Sequence, residues 1–158
     1  MTLRTVLVPG SFDPFTVGHL DIVQRACALA DHVVVAVGTN RTKRPMFTLA
    51  QRRAMIEAAT RHLPQVSVIP MEGTLIDAYR EAGAGAVIKG LRDAHDLTWE
   101  QTQAAVNREL GGVETVYLPT QSQYAHISST MVRELLSWGM DISRYVPQGV
   151  KAFIGDNE

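Results

Sequence analysis

The sequence predicts an α/β domain built on a doubly wound, five-stranded parallel sheet. Short runs rich in β-branched residues alternate with helical patterns along the chain, which is the order of successive βαβ units. Residues 33–37 are five apolar residues in a row, as in a strand that is buried on both faces of a sheet. With 158 residues the chain has the length of one domain, so we expect residues 1–158 to form a single unit.

The strands are predicted at short apolar segments, and the crossovers between them place helices on both faces of the sheet. Ligands of such sheets bind beyond the carboxyl ends of the strands, so the loop after each strand is a candidate binding segment. We place the strands at residues 3–8, 33–37, 66–69, 86–88 and 113–118.

The helices are predicted from apolar spacing and from residues that favour helix ends. The first covers residues 19–30, where apolar residues recur at spacings of three and four. Thr48 with Gln51, and Thr74 with Asp77, have the spacing of capping boxes and mark the next two helix starts. The remaining helices are predicted to begin at Asp96 or Thr98, after a cap at Ser128 or Ser129, and with Pro147 as the first helical residue.

The composition argues against several classes of function. Fifteen Lys and Arg against 16 Asp and Glu give a net charge of −1, which disfavours broad electrostatic binding to nucleic acid or an anionic membrane. Cys27 is the single cysteine, so neither an intramolecular disulfide nor a thiolate zinc cluster can form. No apolar run approaches the ~18 residues of a membrane span, and the first residues lack a signal-peptide pattern. We therefore expect a cytoplasmic protein.

The loop after the first predicted strand, residues 9–19, combines two glycines, a hydroxyl and a histidine at a helix start. Gly10 lets backbone N–H groups approach a ligand closely. A charged His19 in the first helical turn is unfavourable unless an anion lies beside it. The spacing thus fits a phosphate site, and it fits an ordinary turn with an exposed histidine equally well.

The loop after the second predicted strand concentrates positive charge, which would attract a phosphate. A solvated loop and an exposed helix face account for most of these cations individually. Five cations and no acid occur between Asp31 and Glu57, namely Arg41, Lys43, Arg44, Arg52 and Arg53.

Two further loops carry anion-binding chemistry. Lys89 and Arg92 flank a glycine directly after the fourth strand, and a guanidinium can hold a phosphate with two hydrogen bonds. Ser128, Ser129 and Thr130 begin a helix, where N–H groups and hydroxyls converge, although capping is the commoner role of such residues. The sequence has neither an H-E-x-x-H motif nor a Walker lysine loop.

These motifs resemble those of a known family. Residues 10–14 with residues 16–19 (Thr-Val-Gly-His) resemble the T/H-x-G-H motif of the nucleotidyltransferase superfamily, and residues 127–130 resemble its I-S-S-x signature. Lys43 with the Pro-Met-Phe that follows, and residues 90–92, resemble the bacterial phosphopantetheine adenylyltransferases specifically. The similarity runs from about residue 5 to residue 147, which is nearly the whole chain.

The resemblance implies a Rossmann-like nucleotidyltransferase fold and an activity. AMP would pass from ATP to 4′-phosphopantetheine, giving dephospho-coenzyme A and pyrophosphate, with Mg²⁺ as cofactor. The phosphate nucleophile would attack directly in line, without a general base. The resemblance further implies a cytoplasmic homohexamer that can bind coenzyme A as an inhibitor.

The resemblance also implies roles for individual residues. His19 and Lys43 correspond to catalytic positions, while Mg²⁺ is expected on phosphate oxygens and water with no protein ligand assigned. The substrate side corresponds to Ser11, Lys43, Leu75 and Lys89. The ATP side corresponds to Ser11, Phe12, His19, Gly90, Leu91, Arg92, Glu100, Tyr124, Ala125, His126, Ile127, Ser128, Ser129 and Thr130.

Four positions depart from the common family pattern, and none removes a reactive group. Lys89 occupies a position where arginine is common in the family, Trp99 one where tyrosine is common, His126 one where phenylalanine is common, and Thr130 one where serine is common. Two alternative functions stay open at this point. One is a nucleotidyltransferase acting on glycerol phosphate with CTP or on nicotinate mononucleotide with ATP. The other is a non-catalytic nucleotide-binding module on the same fold.

Overall fold

The predicted doubly wound parallel sheet is confirmed in the computed structural model, which describes residues 3–39 and 42–155. All strand pairs are parallel, and the strand order is β3-β2-β1-β4-β5. The strands are β1 (Leu3–Gly10), β2 (Ala30–Gly38), β3 (Val66–Met71), β4 (Ala86–Leu91) and β5 (Thr115–Pro119). The helices are α1 (Val17–Cys27), α2 (Leu49–Ala59), α3 (Leu75–Glu81), α4 (Ala94–Gly111), α5 (Ser129–Ser137) and α6 (Gln148–Ile154), with a 3₁₀ turn at Ser122–Tyr124.

The strand order reverses between β1 and β4. The chain first builds β2 and β3 on one side of β1 and then crosses to build β4 and β5 on the other side. Val6 pairs with Ala86, and Leu7 pairs with Val87. Such a reversal leaves a crevice at the carboxyl ends of the two central strands, where ligands of open α/β sheets bind.

Side chains of the strands alternate between two apolar cores, as the period of a β-strand requires. Val6 and Val35 belong to the larger core, which includes buried residues of α1, α2, α5 and α6. Leu7 and Val34 point to the opposite face and pack with Ala78 of α3. The two cores explain why the central strands read as continuous apolar runs. In the described part of the chain, every helix is too short or too polar to cross a bilayer.

Local capping signals locate several helix starts correctly. Gln51 N donates to Thr48 Oγ1 at 3.1 Å, and both halves of this capping box are present at α2. The box of Thr74 and Asp77 at α3 is likewise complete. At α5 the cap is Ser128, whose Oγ accepts from the backbone three residues on.

Three predicted helix starts are wrong by one to four residues. Helix α1 begins at Val17 rather than residue 19, because Thr16 and His19 close a capping box of their own. Helix α4 begins at Ala94, because the carboxylate of Asp93 accepts from Asp96 N at 2.9 Å and caps the helix a turn earlier than predicted. Pro147 occupies the N-cap position of α6 rather than its first helical position.

The strands extend beyond their predicted ends. Residues 89–91, predicted as a loop, continue β4, since Lys89 pairs with Tyr117 of β5 and the register holds to Leu91. The last strand begins at Thr115, while Val113 is buried in the turn after α4. The first helix also ends at Cys27, three residues short of the prediction, because residue 30 already belongs to β2.

Candidate active site

A cavity of about 430 Å³ opens where β1 and β4 end. Its walls are the loop after β1, the first turns of α1, the end of β4 with the adjacent part of α4, and the start of α5. The structure thus brings most of the candidate site residues to one place. Those that line the cavity are Ser11, Phe12, His19, Lys89, Gly90, Arg92, Glu100, Tyr124, Ile127, Ser128, Ser129 and Thr130.

Five candidate residues lie outside the cavity wall. Lys43 is exposed in the segment after β2, and Leu75 begins α3 and packs partly against the smaller core. These two follow β2 and β3, which lie on the far side of β1 from β4. Leu91 is the half-buried last residue of β4, and Ala125 and His126 are exposed in the turn before α5.

His19 is the third residue of α1, and local bonds fix the orientation of its ring. Thr16 N donates to His19 Nδ1 at 3.0 Å, so this nitrogen accepts and the proton of the neutral ring is on Nε2. The ring contacts Phe12 edge-on at 5.0 Å and stacks on Phe15 at 5.6 Å between centroids. His19 therefore presents one defined donor at the cavity.

The surroundings of His19 keep it uncharged. Burial first, and the positive charge of Arg92 second, lower the pKa of His19 from 6.5 to about 4. A neutral ring removes the conflict between an imidazolium and the positive end of a helix. At neutral pH the residue can thus donate a hydrogen bond to a phosphate oxygen but does not carry a charge or release a proton there.

Both cations at the end of β4 are paired with carboxylates of α4. Lys89 Nζ lies 2.8 Å from Glu100 Oε2, with side-chain exposures of 24% and 18%. Arg92 Nε lies 3.2 Å from Asp96 Oδ2. A phosphate that binds either cation must therefore compete with a carboxylate already in contact with it.

The three hydroxyl residues at the start of α5 make different contacts. Ser128 Oγ accepts from Met131 N and caps the helix, which is the commoner of the two roles considered for these residues. Ser129 Oγ donates to Pro14 O at 2.8 Å, and Thr130 Oγ1 lies 3.2 Å from a guanidinium nitrogen of α5. The Ser129 bond holds the helix start against the loop after β1, whereas the other two contacts are local to α5.

Arg133 lines the cavity and was missed by the sequence analysis. Its Nη1 donates to Asp13 O at 2.8 Å, and its Nη2 is the group that contacts Thr130. The spacing of the helix could have predicted this position, because Arg133 lies four residues after Ser129 and hence on the same face of the helix.

Asp13 was also missed, although it lines the cavity and is 6% exposed. Its two carboxylate oxygens accept from Met46 N at 2.8 Å and from Phe47 N at 2.9 Å. These bonds tie the loop after β1 to the segment that carries Lys43. The bonded residues are more than 30 positions apart in the sequence, so no local sequence pattern predicts these bonds.

The predicted cluster of five cations after β2 does not form one phosphate-binding patch. Arg52 is buried and bonds to backbone carbonyls, and Arg53 pairs with Glu57 at 2.9 Å on the helix surface. Lys43 and Arg44 are exposed, and Arg41 lies outside the described residues. Of the four cations that the structure describes, Lys43 and Arg44 are thus the two whose side chains are exposed and could meet a phosphate.

The carboxylates that line the cavity are engaged by protein groups. Asp13 accepts from two backbone N–H groups, Asp96 is paired with Arg92, and Glu100 with Lys89. Within residues 3–39 and 42–155, no group of three or more His, Cys, Asp or Glu side chains is placed to hold a metal ion.

Comparisons with known proteins identify the family and the fold. A profile of the cytidylyltransferase-like family matches residues 7–135, which include the loop after β1 and the start of α5. Among solved structures, a putative nicotinate-nucleotide adenylyltransferase from Vibrio parahaemolyticus superposes with a TM-score of 0.70, covering 98% of this chain and 92% of its own. Its sequence identity is 17%, so this likeness concerns the fold.

Similarity to curated relatives is much higher. The phosphopantetheine adenylyltransferase of Symbiobacterium thermophilum is 48% identical over 140 residues, which are 88% of this chain and 86% of the relative. That of Rubrobacter xylanophilus is 48% identical over 149 residues, with coverages of 94% and 91%. Such identity over nearly complete lengths, together with the cavity at the β1–β4 switch point, shows that the chain belongs to the phosphopantetheine adenylyltransferase family of cytidylyltransferase-like proteins.

Proposed function

We propose that the protein transfers AMP from ATP to 4′-phosphopantetheine, giving dephospho-coenzyme A and pyrophosphate. The names and near-complete coverage of its relatives support this reaction over the alternatives considered from the sequence. The observation in the structure that carries it is the neutral His19 with a fixed Nε2–H donor, which lines one cavity with Lys89 and Arg92.

The nucleophile is already reactive when it binds. The second pKa of a phosphate monoester is about 6, so this group is mostly a dianion at pH 7 and needs no general base. One of its oxygens forms a bond to the α-phosphorus of ATP. The bond from that phosphorus to the α–β bridging oxygen breaks, and its electron pair leaves with pyrophosphate. The protein's task is to align two polyanions and offset their charge.

His19 acts on the α-phosphate. Its Nε2–H donates to a non-bridging oxygen whose negative charge grows as the nucleophile attacks. Because Thr16 already fixes the ring through Nδ1, little reorganisation is needed when the charge develops. Nε2 carries its proton in both the neutral and the protonated ring, so this donor is not lost by titration near neutral pH.

The cations divide between the two substrates. Lys89 leaves Glu100 for the attacking phosphate, and Lys43 approaches that phosphate from the segment after β2. Arg92, with the helix start at residues 128–130, binds the β- and γ-phosphates, where backbone N–H groups favour anions. The ion pairs of Lys89 and Arg92 keep these cations near their working positions before substrates bind.

We propose that Mg²⁺ enters with the triphosphate. The carboxylates that line the cavity already accept hydrogen bonds from protein groups, so the ion would take its ligands from phosphate oxygens and water. When bound, it supplies further neutralisation of phosphate charge. Turnover should cease in EDTA, and full turnover in EDTA would contradict this proposal.

We also propose a cytoplasmic homohexamer of single nucleotidyltransferase domains, with coenzyme A as a competing ligand. Helix α4, all 18 residues of which are described, has no buried residue and exposes Trp99, Val106 and Leu110 by 64%, 45% and 70%. A second copy of the chain could cover this apolar surface. Sedimentation at micromolar concentration should give a mass of six chains, and the mass of one chain would contradict the assembly.

The reaction is tested by pyrophosphate release from a panel of substrate pairs. ATP with 4′-phosphopantetheine should release pyrophosphate, whereas ATP alone should not. CTP with glycerol phosphate, and ATP with nicotinate mononucleotide, serve as the competing pairs. Faster release from either of those pairs, or nucleotide binding without any release, would overturn the proposed function.

A further inference from the structure

Arg52 of α2 is a buried cation that bonds to three separate parts of the chain. The residue is 3% exposed. Its Nη1 donates to Ser11 O at 2.7 Å and to Gly38 O at 2.8 Å, and its Nε donates to Phe47 O at 3.1 Å. These carbonyls belong to the loop after β1, the end of β2 and the segment that leads into α2. One guanidinium thus joins three segments next to the cavity.

Arg52 is not itself placed to bind a substrate. Ser11 lines the cavity, whereas Arg52 does not. The charge of Arg52 is offset by carbonyl oxygens and by the nearby carboxylate of Asp13, which opposes the effect of burial on the pKa of Arg52. A buried charge with this many partners is costly to disturb, because its removal leaves carbonyl groups without their donor.

The loop that Arg52 holds is strained. Phe12 has a φ of 49°, a left-handed conformation that bulky residues rarely adopt. Such a conformation persists only where its surroundings hold it. Arg52 holds the carbonyl of the preceding residue, and Asp13, the following residue, binds Met46 N and Phe47 N through its carboxylate. One side of the strained residue is therefore fixed to α2 and the other to the segment before it.

We infer that Arg52 is a positioning residue for adenylyl transfer, which sets the loop carrying Ser11 in register with the segment carrying Lys43. The inference rests on the proposed function, in which Lys43 approaches the attacking phosphate, while the resemblance assigns Ser11 to both substrates. The relative position of these two residues therefore affects how the substrates are aligned. We call the three hydrogen bonds of Arg52 the clamp. A misplacement of catalytic groups by about 1 Å can cost about 100-fold in rate, so loss of the clamp should lower kcat even though no substrate contact is lost.

The test compares four variants at saturating ATP and 4′-phosphopantetheine. Arg52→Met removes all three hydrogen bonds. Arg52→Lys keeps the positive charge, but its single nitrogen ends one bond short of Nη1 and cannot make all three bonds. Arg53→Met removes the exposed neighbouring arginine, and Ile56→Ala weakens the buried face of the same helix without touching the clamp. Rates are divided by the folded fraction from circular dichroism.

The expected kcat falls about 10- to 100-fold in Arg52→Met, and by less in Arg52→Lys, while Arg53→Met and Ile56→Ala keep the wild-type value per folded molecule. If Arg52→Met fails to fold, the test compares kcat per folded molecule in Arg52→Lys and in Ile56→Ala, and the positioning role requires the lower kcat in Arg52→Lys. A wild-type kcat in a folded Arg52 variant overturns the positioning role. So does a loss of kcat in Ile56→Ala that equals the loss in an Arg52 variant of the same thermal midpoint.

Amide hydrogen exchange gives a readout that needs no substrate. Arg52→Lys should speed exchange at Met46 and Phe47, whose N–H groups bond to Asp13. It should leave exchange in α3, which packs on the opposite face of the sheet, unchanged. Unchanged exchange at both amides overturns the clamp. If the wild type releases no pyrophosphate, the proposed reaction has failed, and this exchange measurement still shows whether Arg52 fixes the two segments.

Discussion

Lys89 Nζ and Glu100 Oε2 form an ion pair of 2.8 Å across the cavity wall, and each side chain is less than a quarter exposed. The resemblance assigns Lys89 to the substrate side and Glu100 to the ATP side, so the pair joins the two halves of the proposed site. Charged hydrogen bonds contribute about 1.5–3 kcal/mol each, which is enough for the pair to influence substrate binding.

Removing Lys89 should weaken use of the attacking substrate. We expect Lys89→Ala to raise the KM for 4′-phosphopantetheine about 10- to 100-fold, the equivalent of one charged hydrogen bond, and to change the KM for ATP much less. Lys89→Arg should be milder because it keeps the charge. Arg108→Ala, which breaks an exposed ion pair of α4, is the matched control. A rise confined to the KM for ATP would show that Lys89 serves the other substrate.

Removing His19 should slow the chemical step. An interaction that strengthens in the transition state lowers kcat rather than only raising KM. Loss of one such donor typically costs about 100- to 1,000-fold in kcat, and we expect His19→Ala to lie in this range with ATP affinity changed far less. His62→Ala, at an exposed histidine that does not line the cavity, should keep the wild-type rate. A folded His19→Ala variant with wild-type kcat would remove His19 from the mechanism.

His19 should also make stability depend on pH. Its pKa is about 4 in the folded protein against an ordinary value of 6.5, so between these values the unfolded chain binds a proton that the folded chain does not. Stability is therefore lost as the pH falls from 6.5 toward about 4. In thermal melts across this window, the midpoint of the wild type should fall more steeply than that of His19→Asn. Parallel slopes would mean that the ring is charged or exposed in the folded state.

Cys27 should affect stability rather than rate. It is half-buried near the end of α1, packs against the larger core, and burial raises the pKa of its thiol. A thiol in such surroundings behaves as a small apolar side chain. We expect Cys27→Ala to lower the free energy of unfolding by about 1 kcal/mol and to leave kcat within about twofold of wild type. A large loss of turnover in the folded variant would contradict this.

Local chemistry explains which features could be predicted from the sequence. The capping boxes at Thr48 and Thr74 depend only on residues three positions apart. The continuous apolar run at residues 33–37 predicts by itself that this strand is buried. The T-x-G-H and I-S-S-x motifs are likewise contiguous, so a resemblance could be drawn from them. The local signal was ambiguous at the start of α4, which was predicted at Asp96 or Thr98. The actual start depends on Asp93, whose carboxylate accepts from the free N–H group of Asp96.

The chain sequence alone thus determined the α/β class, the loops that carry the cavity residues, and the family resemblance, because each depends on residue type and short spacing. Tertiary structure alone decided the strand order that joins the loops after β1 and β4, and it separated Lys43 and Leu75 from their cavity. It also buries Arg52, which the sequence placed on an exposed helix face, and bonds it to backbone carbonyls. It further pairs Lys89 with Glu100. These contacts link distant residues, and only the completed packing of helices on the sheet sets which distant groups meet.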